Sequence, residues 1–244
     1  MWVHRVLWAG NELEISTMQI SKRILIVTPL QEEYDDLYQA LSALGLDSHQ
    51  AKIGKLGVDH FPALNVTLAR GGHGKTQFGI QTQYVLDHAK FDLVICAGAA
   101  GAIAPEVCVG DIIVATSTIE HDFNNKFSER PKPQFKGDAK SIAQLMDLVV
   151  SEAGFNLHFG IMAGGDEDVI DVRRGKELRD IYNALAVAWE GVGGARAAAF
   201  NDLPYLEIRG ATDTANHEAP VVFYVNLKIV MRNIALLLYK WLGS

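Results

Sequence analysis

Three apolar runs of this sequence end in residues that could do chemistry. They read ILIVTPLQEE at residues 24–33, LVICAGAAGAI at 93–103 and YLEIRGATD at 205–213. Runs that are apolar throughout suit strands buried on both faces, and ligands of open α/β sheets collect at the carboxyl ends of such strands. We therefore expect Glu33, the Gly98 turn and Asp213 to meet at one pocket.

A fourth segment, AWEGVGGARAAAF at residues 188–200, adds Glu190 in apolar surroundings. An unpaired carboxylate is costly there, which favours a ligand-binding role. With Glu33 and Asp213 it would place three carboxylates around a glycine-lined cavity, which suits bond cleavage by acid and base together. Structural alternatives stay open, because Glu33 can offset a helix dipole and Asp213 can cap a helix.

The composition indicates one large domain that acts on a small molecule. The chain has 244 residues, 49% hydrophobic and 21% charged, with a net charge of -7. This length suits one α/β domain with ample core. The acidic balance argues against a nucleic-acid partner, whose phosphates would need clustered Lys and Arg. Cys96 and Cys108 are expected to be packed, reduced thiols rather than a disulfide framework. Reduced thiols predict a cytoplasmic protein.

Neither end of the chain is predicted to enter a membrane. In residues 1–17 the apolar stretch is too short for a signal peptide, so they are interpreted as an extension of unknown role before a domain of residues 18–244. The apolar stretch at residues 221–242 has Lys228 and Arg232 near its middle. Each would cost about 2.5–3.5 kcal/mol to insert, which favours an amphipathic helix packed on the sheet.

Strand candidates alternate with helical patterns, which indicates an α/β domain with a largely parallel sheet. The predicted strands lie near residues 24–28, 64–69, 93–97, 112–116, 159–163 and 205–209. The predicted helices lie near residues 31–44, 75–89, 139–153, 173–184, 191–201 and 220–242. Residues 121–138, with mixed charge and two prolines, are expected to form a long loop, either a lid or a surface excursion.

A glycine-rich segment, ARGGHGKT at residues 69–76, admits two interpretations. It lies between a predicted strand and a predicted helix and is similar to a phosphate-cradling loop that ends in Gly-Lys-Thr. Ala69 stands where that pattern prefers Gly, which leaves a P-loop nucleotide triphosphatase as a remote alternative. The favoured interpretation is a tight turn whose amides approach a ligand, with Lys75 solvated at the helix start.

Five segments in order resemble the nucleoside phosphorylase and nucleosidase superfamily, most closely its methylthioadenosine/S-adenosylhomocysteine nucleosidase branch. They are ILIVTPLQEEYDDL, ARGGHGKTQFG, LVICAGAAGAIAPEVCVGDIIVAT followed by HD, AWEGVGGARAAAF and IRGATDTAN. The resemblance implies a single-domain three-layer α/β/α sandwich with a mixed, partly barrel-like central sheet. It also implies a homodimer or higher homo-oligomer that cleaves the bond between a purine and its ribose.

The resemblance implies roles for individual residues. Glu33 would activate the attacking water, Glu190 would hold ribose hydroxyls and Asp213 would protonate the base. Gly98 and Ala99 belong to a turn that would line the ribose and nucleophile side. In physical terms, an N-glycosidic bond breaks more easily when the base receives a proton and carboxylates stabilise the positively charged sugar.

The base-binding region departs from the family pattern. Among the implied substrate-binding residues Asp168, Val169 and Trp189, Asp168 stands where the family has a stacking Phe, and Trp189 replaces the usual Met. Trp189 would supply the stacking face, while Asp168 would accept hydrogen bonds from a purine edge or point outward. A 5'-modified adenosine such as methylthioadenosine or S-adenosylhomocysteine is the leading substrate, with base and 5' substituent left open.

The predicted turn at Gly98 and Ala99 favours hydrolysis over phosphorolysis. Phosphorylases of this superfamily that use the turn hold phosphate with an Arg before it and a Ser or Thr within it, and here those positions are Cys96 and Ala99. A dianion without guanidinium or hydroxyl would be poorly held, so water is the expected co-substrate. A purine nucleoside phosphorylase and a non-catalytic nucleoside-binding protein remain the alternatives.

The remaining charged residues receive structural or peripheral interpretations. Arg209 is expected as a buried ion-pair partner. His121 and Asp122 match a pair near the rim of the family's site, although a loop turn is an equal interpretation. His217 and Glu218 lack a third ligand at suitable spacing, so no metal and no cofactor is predicted.

Overall fold

A computed structural model of the protein describes residues 22–128, 130–150 and 153–243, so the predicted extension of residues 1–17 lies outside the described residues. The strands are β1 (Ile24–Thr28), β2 (His49–Ile53), β3 (Leu56–Phe61), β4 (Val66–Arg70), β5 (Leu93–Ala102), β6 (Ile112–Glu120), β7 (Gln134–Lys136), β8 (Leu157–Gly164), β9 (Ala184–Ala188) and β10 (Tyr205–Asp213). The helices are α1 (Gln31–Ala43), α2 (Lys75–His88), α3 (Ala139–Met146), α4 (Val172–Tyr182), α5 (Gly191–Phe200) and α6 (Ala219–Leu242).

The strands of the described residues form one mixed sheet, part of which closes into a barrel. Along the sheet their order is β10-β6-β8-β9-β5-β1-β4-β3-β2, and β10 also pairs with β5. The strands β5, β9, β8, β6 and β10 therefore form a ring, and β1 to β4 extend from it. Within the ring β5 runs parallel to β10 but antiparallel to β9, which confirms the predicted mixed, partly barrel-like sheet.

Helices cover both faces of the open part of the sheet. In β1, Ile24 and Ile26 belong to the core that α1 and α6 cover, whereas Leu25 and Val27 belong to the core that α2 and α5 cover. Because side chains alternate along a strand, a run that is apolar throughout fits a strand covered on both faces. The predicted three-layer sandwich is confirmed.

Several predicted elements have different bounds, and some were missed. The hairpin of β2 and β3 was not predicted, because β2 is almost entirely exposed and carries no apolar pattern. The strand β9 was also missed, since α4 ends at Tyr182 and Asn183 adopts a left-handed conformation (φ 53°) before it. The helix predicted to reach residue 153 ends at Met146.

Two further expectations need correction. Residues 121–138 are not a loop throughout, since they include β7, which pairs with β6. Cys96 is buried as expected, but Cys108 is an exposed free thiol rather than a packed one.

The C-terminal helix α6 packs on the sheet. Judged by length and composition alone, it is the one helix of the described residues that could cross a membrane, with a mean hydropathy of 1.7. Its residues Met231 and Ile234 are fully buried in the core, whereas Lys228 and Arg232 are exposed. The predicted amphipathic helix is confirmed.

Candidate active site

A cavity of about 390 Å³ lies where β1, β5, β9 and β10 end. Seven of the eight predicted site residues line it: Glu33, Ala99, Asp168, Val169, Trp189, Glu190 and Asp213. The eighth, Gly98, lies beside the Glu33 carboxylate rather than in the cavity wall. The turn predicted at Gly98 and Ala99 is wrong, because both residues lie inside the continuous strand β5, which pairs with β10 there. The structure brings Glu33, Glu190 and Asp213, which are distant in the chain, to the wall of one cavity.

Two glycines of β5 make room for two of these acids. A Cβ atom placed on Gly98 would lie 2.6 Å from Glu33 Oε1, and one placed on Gly101 would lie 2.9 Å from Asp213 Oδ1. Real Cβ atoms do not approach oxygen so closely, so both carboxylates depend on the missing side chains. Three residues along a strand span about 10 Å, which is the distance along β5 between the two contacts.

Glu33 is fixed by backbone amides of two segments. Its Oε2 accepts a hydrogen bond from Leu30 N–H at 2.8 Å, at the start of α1, and its Oε1 accepts one from Ala99 N–H at 2.7 Å. Burial and the nearby Glu190 carboxylate raise the pKa of Glu33 to about 7, against the opposing effect of Arg209. The expected helix-terminal role therefore coexists with a position in the cavity.

Glu190 sits at the junction of β9 and α5. Its Oε1 accepts a hydrogen bond from Gly74 N–H at 3.3 Å, and its Oε2 lies 3.6 Å from Arg209 Nη2. The carboxylate is 7% exposed, and this burial raises its pKa although Arg209 opposes the shift. The sequence analysis inferred a ligand-binding role from the cost of an unpaired carboxylate, whereas the structure gives Glu190 a cation and an amide as partners within the protein.

Arg209 is the buried ion-pair partner that the sequence predicted. Its side chain is 1% exposed, and its Nε donates to Glu207 Oε1 at 2.8 Å. Its Nη1 donates to the carbonyl of Ala99 at 3.1 Å, and its Nη2 contacts Cys96 Sγ at 3.3 Å. Arg209 also lines the cavity, which the sequence did not indicate.

Asp213 ends β10 and faces the cavity from the side of Gly101. Its Oδ2 accepts a hydrogen bond from the Thr212 hydroxyl at 2.8 Å, and its Oδ1 accepts one from Ala215 N–H at 2.9 Å. The alternative of a helix cap is wrong, because the next helix begins at Ala219.

Comparison with known proteins places this chain in a family. The family model of the phosphorylase superfamily matches residues 23–239. The chain belongs to the phosphorylase superfamily. The 5'-methylthioadenosine/S-adenosylhomocysteine nucleosidase of Bacillus thuringiensis (strain Al Hakam) is 30% identical over 166 residues, which cover 65% of this chain and 72% of that protein.

Solved structures show the same superfamily fold. The 5'-methylthioadenosine/S-adenosylhomocysteine nucleosidase from S. pneumoniae, in complex with the transition-state inhibitor MT-ImmA, superposes with a TM-score of 0.79 and 27% identity, over 91% of this chain and 98% of that one. The futalosine hydrolase of Helicobacter pylori has a TM-score of 0.79 and 22% identity, over 91% and 97% of the two chains.

The glycine-rich turn of this superfamily member is not a phosphate-binding loop. Its amides already bind carboxylates, because Gly74 N–H donates to Glu190 and Lys75 N–H donates to Asp166 Oδ1 at 2.8 Å. The expectation that Lys75 is solvated is wrong. Its ammonium lies 2.6 Å from Asp122 Oδ1, and its side chain is only 17% exposed. A phosphate would meet carboxylates at this helix start.

The turn also contributes a cavity residue that sequence reasoning missed. His73 lies between two glycines with positive φ, Gly72 (84°) and Gly74 (82°), and it lines the cavity. Its ring meets Trp189 edge-on, with centroids 4.6 Å apart and an interplanar angle of 82°. An imidazole held between two glycines after a predicted strand was the signal that could have revealed it.

The His121–Asp122 pair lies outside the cavity wall. Asp122 binds Lys75, and His121 Nδ1 lies 3.5 Å from Glu167 Oε2, an acid that does line the cavity. His121 is 4% exposed, and burial lowers its pKa despite the nearby Glu167. The pair therefore contacts residues of the rim without reaching the interior.

Within residues 22–128, 130–150 and 153–243, no group of three or more His, Cys, Asp or Glu side chains is arranged to hold a metal ion.

Proposed function

We propose that this protein hydrolyses the N-glycosidic bond between a purine and its ribose, with 5'-methylthioadenosine or S-adenosylhomocysteine as the leading substrates. The names of its relatives support this substrate class. The observation that carries the proposal is that Glu33, Glu190 and Asp213 line one cavity, with Glu33 and Asp213 contacting β5 about 10 Å apart along the strand.

The reaction needs opposite charges to be stabilised at the two ends of the breaking bond. The sugar becomes positive and the base becomes negative in the transition state. Asp213, at one end of the cavity, would donate a proton to a ring nitrogen of the base. Glu33, at the other, would accept a proton from the attacking water. The base then leaves neutral, and the water oxygen forms the new bond to the sugar carbon.

The pKa of Glu33 suits a general base. A base works best when its pKa lies near the working pH, and burial with the neighbouring Glu190 places that of Glu33 at about 7. The two amides that bind its oxygens hold the carboxylate in one orientation. Orientation of the water relative to the sugar lowers the entropic part of the barrier.

Glu190 would bind the ribose. A carboxylate can accept two vicinal hydroxyls, and Glu190 lies in the cavity between the glycine-rich turn and Arg209. Arg209 would keep Glu190 ionised and correctly placed rather than contact the reacting atoms. Trp189, the next residue, would supply a flat surface for stacking, and Asp168 with Val169 would border the base.

Water is favoured over phosphate as the nucleophile. Cys96, at the position where the phosphorylases place an Arg, is fully buried and does not line the cavity. Ala99 offers a methyl group and no hydroxyl. The guanidinium of Arg209 is already paired with Glu207, and a phosphate dianion beside Glu33 and Glu190 would be repelled.

The test is a panel of purine nucleosides incubated with the protein, with and without phosphate, and chromatography of the released base. We expect free base without phosphate, fastest from nucleosides with an apolar or amino-acid 5' substituent. Release only when phosphate is added would replace hydrolysis by phosphorolysis. Binding without any release would instead identify a nucleoside-binding protein.

We also propose that the protein is cytoplasmic and forms a homodimer or larger homo-oligomer. The composition supports the compartment, and the resemblance to the nucleosidase branch supports self-association. Light scattering of the purified protein tests the assembly, since a monomer at micromolar concentration would contradict it.

A further inference from the structure

Lys75 joins three segments of the chain through a ring of polar contacts. Its Nζ lies 2.6 Å from Asp122 Oδ1 and 3.0 Å from Glu120 Oε1, at the end of β6. Its backbone N–H donates to Asp166 Oδ1 at 2.8 Å, and Asp166 N–H donates to Asp122 Oδ2 at 2.9 Å. The ring therefore ties the start of α2 to the end of β6 and to the loop after β8.

Two of the three joined segments carry residues of the cavity wall. His73 and Gly74 directly precede Lys75, and Asp168 lies two residues after Asp166. His73 and Asp168 both line the cavity, whereas Lys75 does not. A change at Lys75 can therefore reach the cavity only through the segments that it joins.

The charges of the ring are largely shielded from water. The side chains of Lys75, Glu120 and Asp122 are 17%, 9% and 24% exposed. Burial lowers the pKa of Lys75, but the hydrogen bonds to the two carboxylates outweigh it and raise the pKa. Without the ammonium, Arg196 would still pair with Glu120. Asp122 would lose its hydrogen bonds from Lys75 and become a poorly solvated carboxylate beside Glu120, which favours movement of Asp122 and of the Asp166 amide that it holds.

We propose that Lys75 is a positioning residue that holds the loop of residues 165–170 against the glycine-rich turn of residues 71–74, so that the loop closes the cavity beside the base. The assignment of this loop to the base rests on the proposed function. In this loop Val169 is buried, whereas Asp166 and Asp168 are exposed, so polar contacts help to hold the loop in place. Arg174 supplies two of them to Glu167. Lys75 supplies such contacts through both Asp122 and Asp166.

The test compares Lys75→Met, Lys75→Arg and the control Lys176→Met. Lys176 pairs with Asp180 on the exposed surface of α4, so its loss removes a lysine without touching the ring. For Lys75→Met we expect KM for 5'-methylthioadenosine to rise about tenfold or more while kcat falls less than about threefold. Hydrogen exchange of residues 165–170 should accelerate in the unliganded protein. In Lys75→Arg, KM and the hydrogen-exchange rate of residues 165–170 should stay close to those of the wild type. In Lys176→Met both should be unchanged.

A second pair of variants separates positioning from general stability. Asp122→Asn should reproduce the rise in KM, and the double variant with Lys75→Met should be no worse than Lys75→Met alone, because both changes break one coupled contact. If Lys75→Met does not fold, Asp122→Asn decides the matter. The proposal would be overturned if a folded Lys75→Met or Asp122→Asn variant showed unchanged KM and unchanged hydrogen exchange. It would also be overturned if the effects of the two changes on KM were additive in the double variant. If the wild type released no base, the proposed function would fail, while the exchange comparison would still test Lys75.

Discussion

Gly98 of β5 and Glu33 of α1 are 65 residues apart in the chain, yet the Glu33 carboxylate lies directly beside the Gly98 backbone. A Cβ atom on Gly98 would lie 2.6 Å from Glu33 Oε1 and 2.8 Å from Arg209 Nη1. The absence of a side chain at this point of β5 thus lets a carboxylate and its neighbouring guanidinium lie beside the strand. The position of the proposed base depends on this glycine.

Gly98→Ala should therefore impair catalysis more than folding. The added methyl group would push the Glu33 carboxylate from its two amides, and the loss of a well-placed general base costs about 10²- to 10⁴-fold in rate. We expect kcat of Gly98→Ala to fall at least about a hundredfold, measured by base release. Gly57→Ala is the matched control, because a Cβ there meets no atom within 4 Å. Equal activity in both variants would remove the contact from the mechanism.

Asp213→Asn should abolish base release while nucleoside binding persists. The amide keeps the shape of Asp213 and one of its two acceptor oxygens but cannot give a proton to the base. Calorimetric binding of 5'-methylthioadenosine should stay within about tenfold of wild type, whereas kcat should fall by about 10² or more. Asp180→Asn on the surface of α4 is the control. Undiminished turnover of Asp213→Asn would exclude Asp213 as the general acid.

The rate should rise with pH through the pKa of Glu33. Hydrolysis needs the ionised carboxylate, and the pKa of about 7 means that little of it is ionised at pH 5. We expect kcat/KM to increase about tenfold per pH unit below the pKa and to level off above it. A rate that is constant from pH 5 to 8 would contradict the assignment of Glu33 as the base.

Stability should change with pH in the opposite direction. The folded protein holds the Glu33 proton more tightly than the unfolded chain, whose ordinary pKa is 4.5, so this contribution is fully present below 4.5 and is lost as pH rises through about 7. The difference is of order 3 kcal/mol at most. In denaturant unfolding, the free energy of unfolding should fall less between pH 5 and pH 8 for Glu33→Gln than for wild type. An identical loss in both proteins would show that Glu33 does not carry it.

Trp189→Ala should raise KM more than Trp189→Phe. The Trp189 ring forms part of the cavity wall and contacts His73 edge-on. Stacking of a base on an aromatic ring is worth about 1–3 kcal/mol, which corresponds to about 5- to 150-fold in KM for the Ala variant. The Phe variant keeps a flat ring and should lose less. Similar KM values in both variants would show that the ring does not contact the substrate.

Much of the fold followed from local patterns. The runs at β1 and β5 are almost wholly apolar because helices cover the open sheet and the barrel encloses its own interior, and this pattern predicted buried strands with ligand-binding ends. The strand β10 is buried throughout as well, although it carries Glu207, Arg209 and Asp213. The hairpin of β2 and β3 had no such signal, because an exposed strand needs no apolar residues. Closure of the sheet through the pairing of β10 with β5 also depends on contacts that no local pattern encodes.

The sequence by itself determined which acids to expect at the proposed site, because the segments around Glu33, Glu190 and Asp213 are contiguous and resemble the motifs of a known superfamily. Only the tertiary structure decided their neighbours. The approach of Gly98 to Glu33 and the pairing of Lys75 with Asp122 each join residues distant in the chain. Burial and charge at such contacts set the pKa of Glu33 and the position of the loop, and both are properties of the packed protein that residue types alone do not fix.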